Sequence, residues 1–456
     1  MPAVFSGVAR AKRLIAAVAA ACACAVFAPP TAGAISEAEL HGVLAGAMAE
    51  APPQSGALVV DVTAGRALFA DREAQRRQSA SVMKLYTTSA ALLRLSPGRR
   101  LATRLLGDGR RRGAEWRGDV YLSGGGDFTF GTAEFRRGAY GGGGSIEALA
   151  AGLRRAGVKR VTGAVYADTS LFGDNGGTLF GLVLCPQPLF GPGCPYGPRG
   201  KLERPIPNGP RTPIGMNRGL LSAHGAEPQK QPARFAARAL ARELRRHGIA
   251  VSRVGGERRT PPGARQLAVT RSPRVSRLIQ LVNRPSDNYA ADVLQRVIGV
   301  HSGQPGTRAG GEAAMRRVLR HRLGIEPSIR SGSGETLGDR TSPREVVDLL
   351  TGMRSLPVGE VFHRSLSLAG HNGTLLRLAG TPAAGRCRLK DGTRVDRLPN
   401  TTLNLAGYCR AANGHEIVFA IMMNGMPIEF VPPDRLESPA YALQDRMVSA
   451  IASYGG

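Results

Sequence analysis

Apolar residues recur along this chain with two different periods, and the switches between them outline its elements. The runs Ala57-Leu58-Val59-Val60-Asp61-Val62 and Ala67-Leu68-Phe69-Ala70 flank Thr63-Ala64-Gly65-Arg66, which predicts a hairpin with a glycine turn. Over 79–95 the period becomes helical. Val82, Leu85, Tyr86, Leu92 and Leu93 share a side, and Pro97-Gly98 stops the run. Between 104 and 270 strand-like pieces such as 118–122 alternate with glycine clusters at 124–126 and 141–144, and 185–213 is an irregular Pro- and Gly-rich stretch. Residues 232–247 form an amphipathic pattern with Phe235, Ala239, Leu240 and Leu244 on one side. Helical spacing returns at 275–282 and 289–300, interrupted at Arg284-Pro285. Two strands at 403–408 and 416–423 around Asn413-Gly414 predict a second hairpin, and a helix over 439–454 closes the chain.

Helices flanking a late antiparallel sheet that also takes the first strands predict an α+β fold. The middle of the chain is then an insertion: 35–103 and 271–456 form the two parts of the main domain, and 104–270 the inserted region.

The N-terminus changes the picture of where the protein works. Arg10, Lys12 and Arg13 precede an apolar run over 14–28, then Pro29-Pro30 and Ala32-Gly33-Ala34. This is the layout of an export signal over 1–34, cleaved after Ala34. The run is short for a membrane span. The net charge of +27 falls by three when the leader leaves. Outside the cytosol the polyanions available are wall polymers and lipid headgroups, and no nucleic-acid-binding pattern is present. Arg110-Arg111-Arg112 reads as a solvated loop that offers contact to an anionic wall polymer. Two of the six cysteines lie in the leader; Cys185, Cys194, Cys387 and Cys409 remain. An even number in an exported chain suggests disulfides, with three connectivities open and the two local ones favoured. The eight histidines are scattered, without metal-ligand spacing, so no metal or cofactor is expected.

Only six of the 61 basic residues are lysines, which makes each one informative. Lys84 follows Ser81 by three residues, a spacing that puts a hydroxyl and an amine on one helical face. A serine becomes a nucleophile when a base takes its proton, and an amine is such a base if burial or a nearby cation lowers its pKa. The plain alternative is a surface lysine after a capping serine. Ser286-Asp287-Asn288 sits in a Pro-initiated loop between two helices; its hydroxyl could relay a proton and its amide could orient other groups. The alternative there is a helix cap by Asn288 or Ser286. Lys390-Asp391-Gly392-Thr393 falls on a predicted strand, where a lysine offers a cation to a carboxylate and a glycine lets substrate backbone approach. The alternative is an Asp-Gly turn.

Ser-x-x-Lys, Ser-x-Asn and Lys-x-Gly, in that order, resemble the signature of penicillin-recognising serine enzymes. The chain is similar to the type-4, low-molecular-mass penicillin-binding proteins, D-alanyl-D-alanine carboxypeptidases/endopeptidases with a β-lactamase/transpeptidase-like domain. Further segments carry the likeness. They include Gly118-Asp119-Val120-Tyr121-Leu122, residues 334–343 after Ser331-Gly332-Ser333, Gly373-Thr374-Leu375, 380–385, and Leu405-Ala406-Gly407-Tyr408. The long stretch between the first two motifs is also a trait of that family.

The resemblance implies acyl transfer without a metal, acting on peptidoglycan stem peptides. Ser81 would attack, with Lys84 as base. Ser286 would relay a proton to the leaving amine, and Asn288 would orient Lys84 and the peptide. Lys390 would hold the terminal carboxylate, and the N–H groups of Ser81 and Thr393 would form the oxyanion hole. A β-lactam would acylate the same serine. Nothing in the sequence fixes an oligomeric state. One departure is expected to matter: Asp391 stands where the family has Thr. A carboxylate there would repel a substrate carboxylate by about 4 kcal/mol at 4 Å and an effective dielectric of ~20, and would partly neutralise the neighbouring Lys390. Thr393, two residues on, would then take over the hydroxyl's part. A second reading follows: a catalytically impaired homologue that binds wall peptide or a partner enzyme.

Overall fold

The computed structural model describes residues 33–174, 179–181, 206–225, 227–395, 401–426 and 439–456. Its central element is a six-stranded antiparallel sheet. In spatial order the strands are Ser367–Leu368, Cys387–Val395, Thr401–Arg410, Glu416–Met426, Gly56–Asp61 and Arg66–Asp71. The first hairpin therefore joins the sheet beside the last strand, as the strand-rich chain end predicts. Side chains alternate between two cores, as a pleated strand requires. In Glu416–Met426, Ile417, Phe419, Ile421 and Met423 enter one core, while Val418, Ala420 and Met422 enter the other. Both faces being covered explains why this strand lacks a polar alternate position over 417–423.

One face carries the helices Met83–Leu95, Val275–Asn283, Asn288–His301 and Pro343–Arg354. The other is covered by Glu37–Glu50 and Pro439–Ser453. The periodicity reading did not find Glu37–Glu50. It starts at a capping box in which Ser36 accepts from Glu39 N and the Glu39 carboxylate accepts from Ser36 N. Its inward face is Leu40, Leu44, Ala47 and Met48, and the alanines and glycines between them blur the stripe.

A second sheet is built entirely from the middle of the chain. Its order is Arg265–Arg274, Arg100–Arg112, Glu115–Ser123, Arg160–Asp168 and Ala250–Glu257. The two pairings around Arg160–Asp168 are parallel and the other two antiparallel. The helices Ile146–Arg155 and Pro232–Arg246 pack on it around Leu149, Leu153, Leu240 and Leu244. Arg110, Arg111 and Arg112 are not a loop. They end the strand Arg100–Arg112, opposite Arg117, Trp116 and Glu115, and their guanidinium groups remain exposed. Strand pairing satisfies their backbone while leaving the charges in water.

Cys387 and Cys409 face each other across the sheet and form a disulfide closing a separation of 22 residues. Cys185, Cys194 and the leader before Gly33 lie outside the described residues. Among the described residues no helix is long and apolar enough to cross a membrane.

Chain-entropy arguments assign a loop of this length a stabilisation of roughly 3 kcal/mol. Replacing both Cys387 and Cys409 by serine is expected to lower the melting temperature by about 3–6 °C. Calorimetry checks this, and an unchanged transition would show that the bond does not constrain the unfolded chain.

Candidate active site

Ser81 does not lie in the regular helix expected over 79–95. It occupies a tight turn, Ala80–Val82, and the α-helix begins at Met83. The cause is Ala80, whose φ of 42° is left-handed and incompatible with helix. The carbonyl of Ser79 accepts from Asn404 Nδ2 at 2.9 Å, and its N–H donates to Asp339 O at 3.0 Å, so sheet and loop hold the turn on both sides. Gly334 packs directly on it: a Cβ there would lie 1.8 Å from Ala80 O. Gly392 does the same from the sheet edge, its Cβ position being 3.1 Å from Ser81 N and 3.0 Å from Val82 N. A side chain at either glycine would push Ser81 out of place.

The Ser-to-Lys spacing survives this change of geometry. Lys84 Nζ donates to Ser81 Oγ at 2.6 Å, Asn288 Oδ1 at 2.5 Å and Ser333 O at 2.9 Å. The lysine is fully buried. Burial first, and the Lys390 charge second, bring its pKa down to about 7. An amine so placed is poised to exchange a proton with the hydroxyl it touches.

Ser286 and Asn288 reach the same cleft from the loop between Val275–Asn283 and Asn288–His301. The cap of the second helix is neither Ser286 nor Asn288 but Asp287, which accepts from Ala290 N at 3.0 Å. Ser286 itself has a φ of 57°, a strained conformation that persists only where the surroundings enforce it. Asp287 supplies that enforcement. Its carboxylate is buried against the Arg218 guanidinium, with Nη2 to Oδ1 at 3.0 Å, and accepts from Tyr140 Oη at 3.1 Å. Arg211 pairs with Asp292 one turn further along the helix, at 2.9 Å. Tyr140, Arg211 and Arg218 all come from the middle of the chain. Nothing in the sequence singles out these two arginines among so many.

Lys390 completes the cluster. It is 1% exposed and donates from Nζ to Ser286 Oγ at 2.9 Å. Burial lowers its pKa, with Asp391 opposing the shift. The structure therefore brings two hydrogen-bonded groups, Ser81–Lys84–Asn288 and Ser286–Lys390, near enough for the Lys390 charge to act on Lys84, with Gly392 against the Ser81 turn.

Asp391 neutralises part of the Lys390 charge, as the sequence leads one to expect, and it also gains a partner from a distant segment. It is not an unpaired like charge. Its Oδ1 accepts from Lys390 Nζ at 3.0 Å and from Thr374 Oγ1 at 2.6 Å. Burial pushes its carboxyl upward, but Lys390 and Thr374 outweigh this and leave it below the usual carboxylate range. The edge of the cleft thus presents a nearly neutral ion pair, not a bare anion. Thr393 sits two residues on, with its hydroxyl 3.1 Å from Tyr441 Oη. Its hydroxyl is thus partly committed to the closing helix.

Two participants were not assigned a part from sequence: Ser333 and Thr374. They lie in segments, 331–343 and 373–375, that carried the family resemblance without any stated role.

Comparison with known proteins places the chain in a family. The family described as D-Ala-D-Ala carboxypeptidase 3 (S13) matches residues 40–178 and 226–444. A D-alanyl-D-alanine carboxypeptidase of Actinomadura sp. (strain R39) is 25% identical over 470 residues, covering 88% of this chain and 82% of that protein. A carboxypeptidase of Mycobacterium tuberculosis is 28% identical over 418 residues, covering 87% and 82%. Among solved structures, penicillin-binding protein 4 of Haemophilus influenzae superposes with a TM-score of 0.68 at 17% identity, over 91% of this chain and 98% of the other. That likeness is one of fold. Since the family match spans most of the sequence, the chain belongs to the D-Ala-D-Ala carboxypeptidase 3 (S13) family, of the type-4 low-molecular-mass penicillin-binding proteins.

Proposed function

We propose that this protein is an exported serine D-Ala-D-Ala carboxypeptidase/endopeptidase that acts on peptidoglycan stem peptides through an acyl-enzyme. One observation carries the reading: a buried ammonium, Lys84, touches the Ser81 hydroxyl and the Asn288 amide together. Neutral Lys84 takes the proton from Ser81 as Oγ adds to the carbonyl of the penultimate D-Ala. The N–H groups of Ser81 and Thr393 receive the developing oxyanion, a form of stabilisation that strengthens as charge builds. Ser286, held by Lys390, relays to the leaving amine the proton that Lys84 has taken, which leaves Lys84 neutral again. Lys390 draws the terminal carboxylate. Water then cleaves the ester, with the same lysine as base. A β-lactam enters by the same route and leaves slowly.

The compartment follows from two features. The N-terminal signal pattern supports export, and a disulfide at Cys387–Cys409 suits an oxidising space. The basic surface supports contact with an anionic wall polymer.

The second reading, an impaired homologue that binds wall peptide or a partner enzyme, draws on the Lys390–Asp391 pair. That pair takes part of the lysine's charge away from a substrate carboxylate.

Incubation with a fluorescent penicillin is expected to label the protein covalently, and Ser81→Ala to abolish the label while the fold persists by circular dichroism. A folded native protein that stays unlabelled would refute the acyl-enzyme. Asp391→Thr frees Lys390 for the substrate. Because the carboxylate is already paired, kcat/KM for a D-Ala-D-Ala peptide should rise only about tenfold. A gain of several hundredfold from an almost inactive native protein would favour the impaired homologue instead.

A further inference from the structure

Glu335 lies inside the cleft and has no part in the chemistry described so far. Its Oε1 accepts from Asn288 Nδ2 at 2.5 Å. Asn288 is therefore gripped at both ends: Lys84 faces its oxygen and Glu335 its nitrogen. The two ends of a carboxamide have nearly the same size, so only partners decide which way it points. An ammonium has no acceptor and an ionised carboxylate has no donor. With these two groups on opposite sides, one orientation satisfies both and the flipped one satisfies neither.

The backbone around Glu335 is fixed as well. Glu335 N donates to Ser331 Oγ at 3.2 Å, Gly334 N donates to the same oxygen at 3.0 Å, and Gly334 presses on the Ala80 carbonyl. The Arg394 guanidinium donates to Glu335 O from the sheet edge.

We propose that Glu335 is a positioning residue for the Lys84 base, acting through Asn288: its carboxylate takes the amide N–H and so commits the amide oxygen to the lysine. This rests on the acyl-enzyme reading above. The second N–H of Asn288 stays available for substrate, because an amide nitrogen carries two hydrogens.

The same carboxylate sets the pH range over which the lysine works. Around Lys84 stand Lys390 from the sheet, Glu335 from the 331–336 loop, and Asp292 and Asp287 from the helix Asn288–His301 and its cap. Around Glu335 stand Asp292, Lys84, Arg211 and Asn288. Burial first, then Asp292, raise the Glu335 carboxyl above its ordinary range, while Lys84 and Arg211 pull it down. Where it is ionised, Glu335 favours the charged lysine and opposes proton release from it. Lys84 must be neutral to accept the Ser81 proton, so acylation should fall as pH drops below about 7. Removing the Glu335 charge lets the lysine lose its proton more readily, which moves that fall to lower pH.

The experiment is the second-order rate of acylation by benzylpenicillin as a function of pH, on the full-length protein. For the native chain the acid limb is expected near pH 7. Glu335→Gln keeps an acceptor but loses the charge: its plateau should stay within about threefold and its limb should move down by about one pH unit. Glu335→Asp keeps the charge on a shorter arm, so its limb should stay put. Glu335→Leu removes the acceptor and should lower the plateau tenfold or more. If Gln and Leu variants, folded by circular dichroism, match the native plateau and limb, Glu335 does not position the base. A loss of rate equal in Gln, Asp and Leu variants with the limb unmoved would mean a merely structural side chain, which also overturns the proposal. If the native protein is not acylated at all, the underlying reading has failed and the inference falls with it.

Discussion

A single buried ammonium organises this molecule's cleft. Lys84 is fully buried, and an isolated charge in that position would be very costly. It is kept by three acceptors from three separate parts of the chain: Ser81 on its own turn, Asn288 at a helix start, and the Ser333 carbonyl in a loop. Satisfying that one group forces those segments to converge. The strained φ of Ala80 and of Ser286 are consequences, since both residues must leave regular geometry to aim their neighbours inward. The nearby cation Lys390 and the carboxylates Glu335, Asp292 and Asp287 then decide how tightly the proton is held.

The division of labour between the two sheets follows from this. The six-stranded sheet brings Lys390 and Gly392 along its edge, and the turn Ala80–Val82 with the helix that follows it brings Ser81 and Lys84. The loop that carries Ser286 and Asn288 is held from the other side by Arg218, Arg211 and Tyr140 of the middle region. Breaking a buried pair such as Arg218–Asp287 would leave an uncompensated charge under the loop. The middle region therefore does more than decorate the fold, because it fixes the position of a site motif.

Much of this was legible in the residues. Both hairpins, the amphipathic helix at Pro232–Arg246, the paired helices around Ser286 and the closing helix follow from periodicity, because each has one clear apolar stripe or a turn signal. The helix Glu37–Glu50 was not, since Ala and Gly dilute its stripe. Scarce lysines led to Ser81, Lys84 and Lys390 because the remaining positive charge is arginine. The part played by Glu335 was hidden, for a lone glutamate in a loop has no pattern. Asp391 and its neutralising effect on the adjacent Lys390 were legible as a departure, but the hydrogen bond from Thr374 depends on a contact between distant segments. Local spacing cannot supply such a contact.

The chemistry of the cleft depends on the proton affinity of one lysine. Six lysines in the whole chain make a direct titration feasible, using lysine labelled with carbon-13 at the ε position and followed by NMR. One resonance should titrate near pH 7, well below the ordinary lysine value of about 10.4, and vanish in Lys84→Arg. If every lysine resonance of the folded protein titrates near that ordinary value, Lys84 is not a buried base and the site does not work as described.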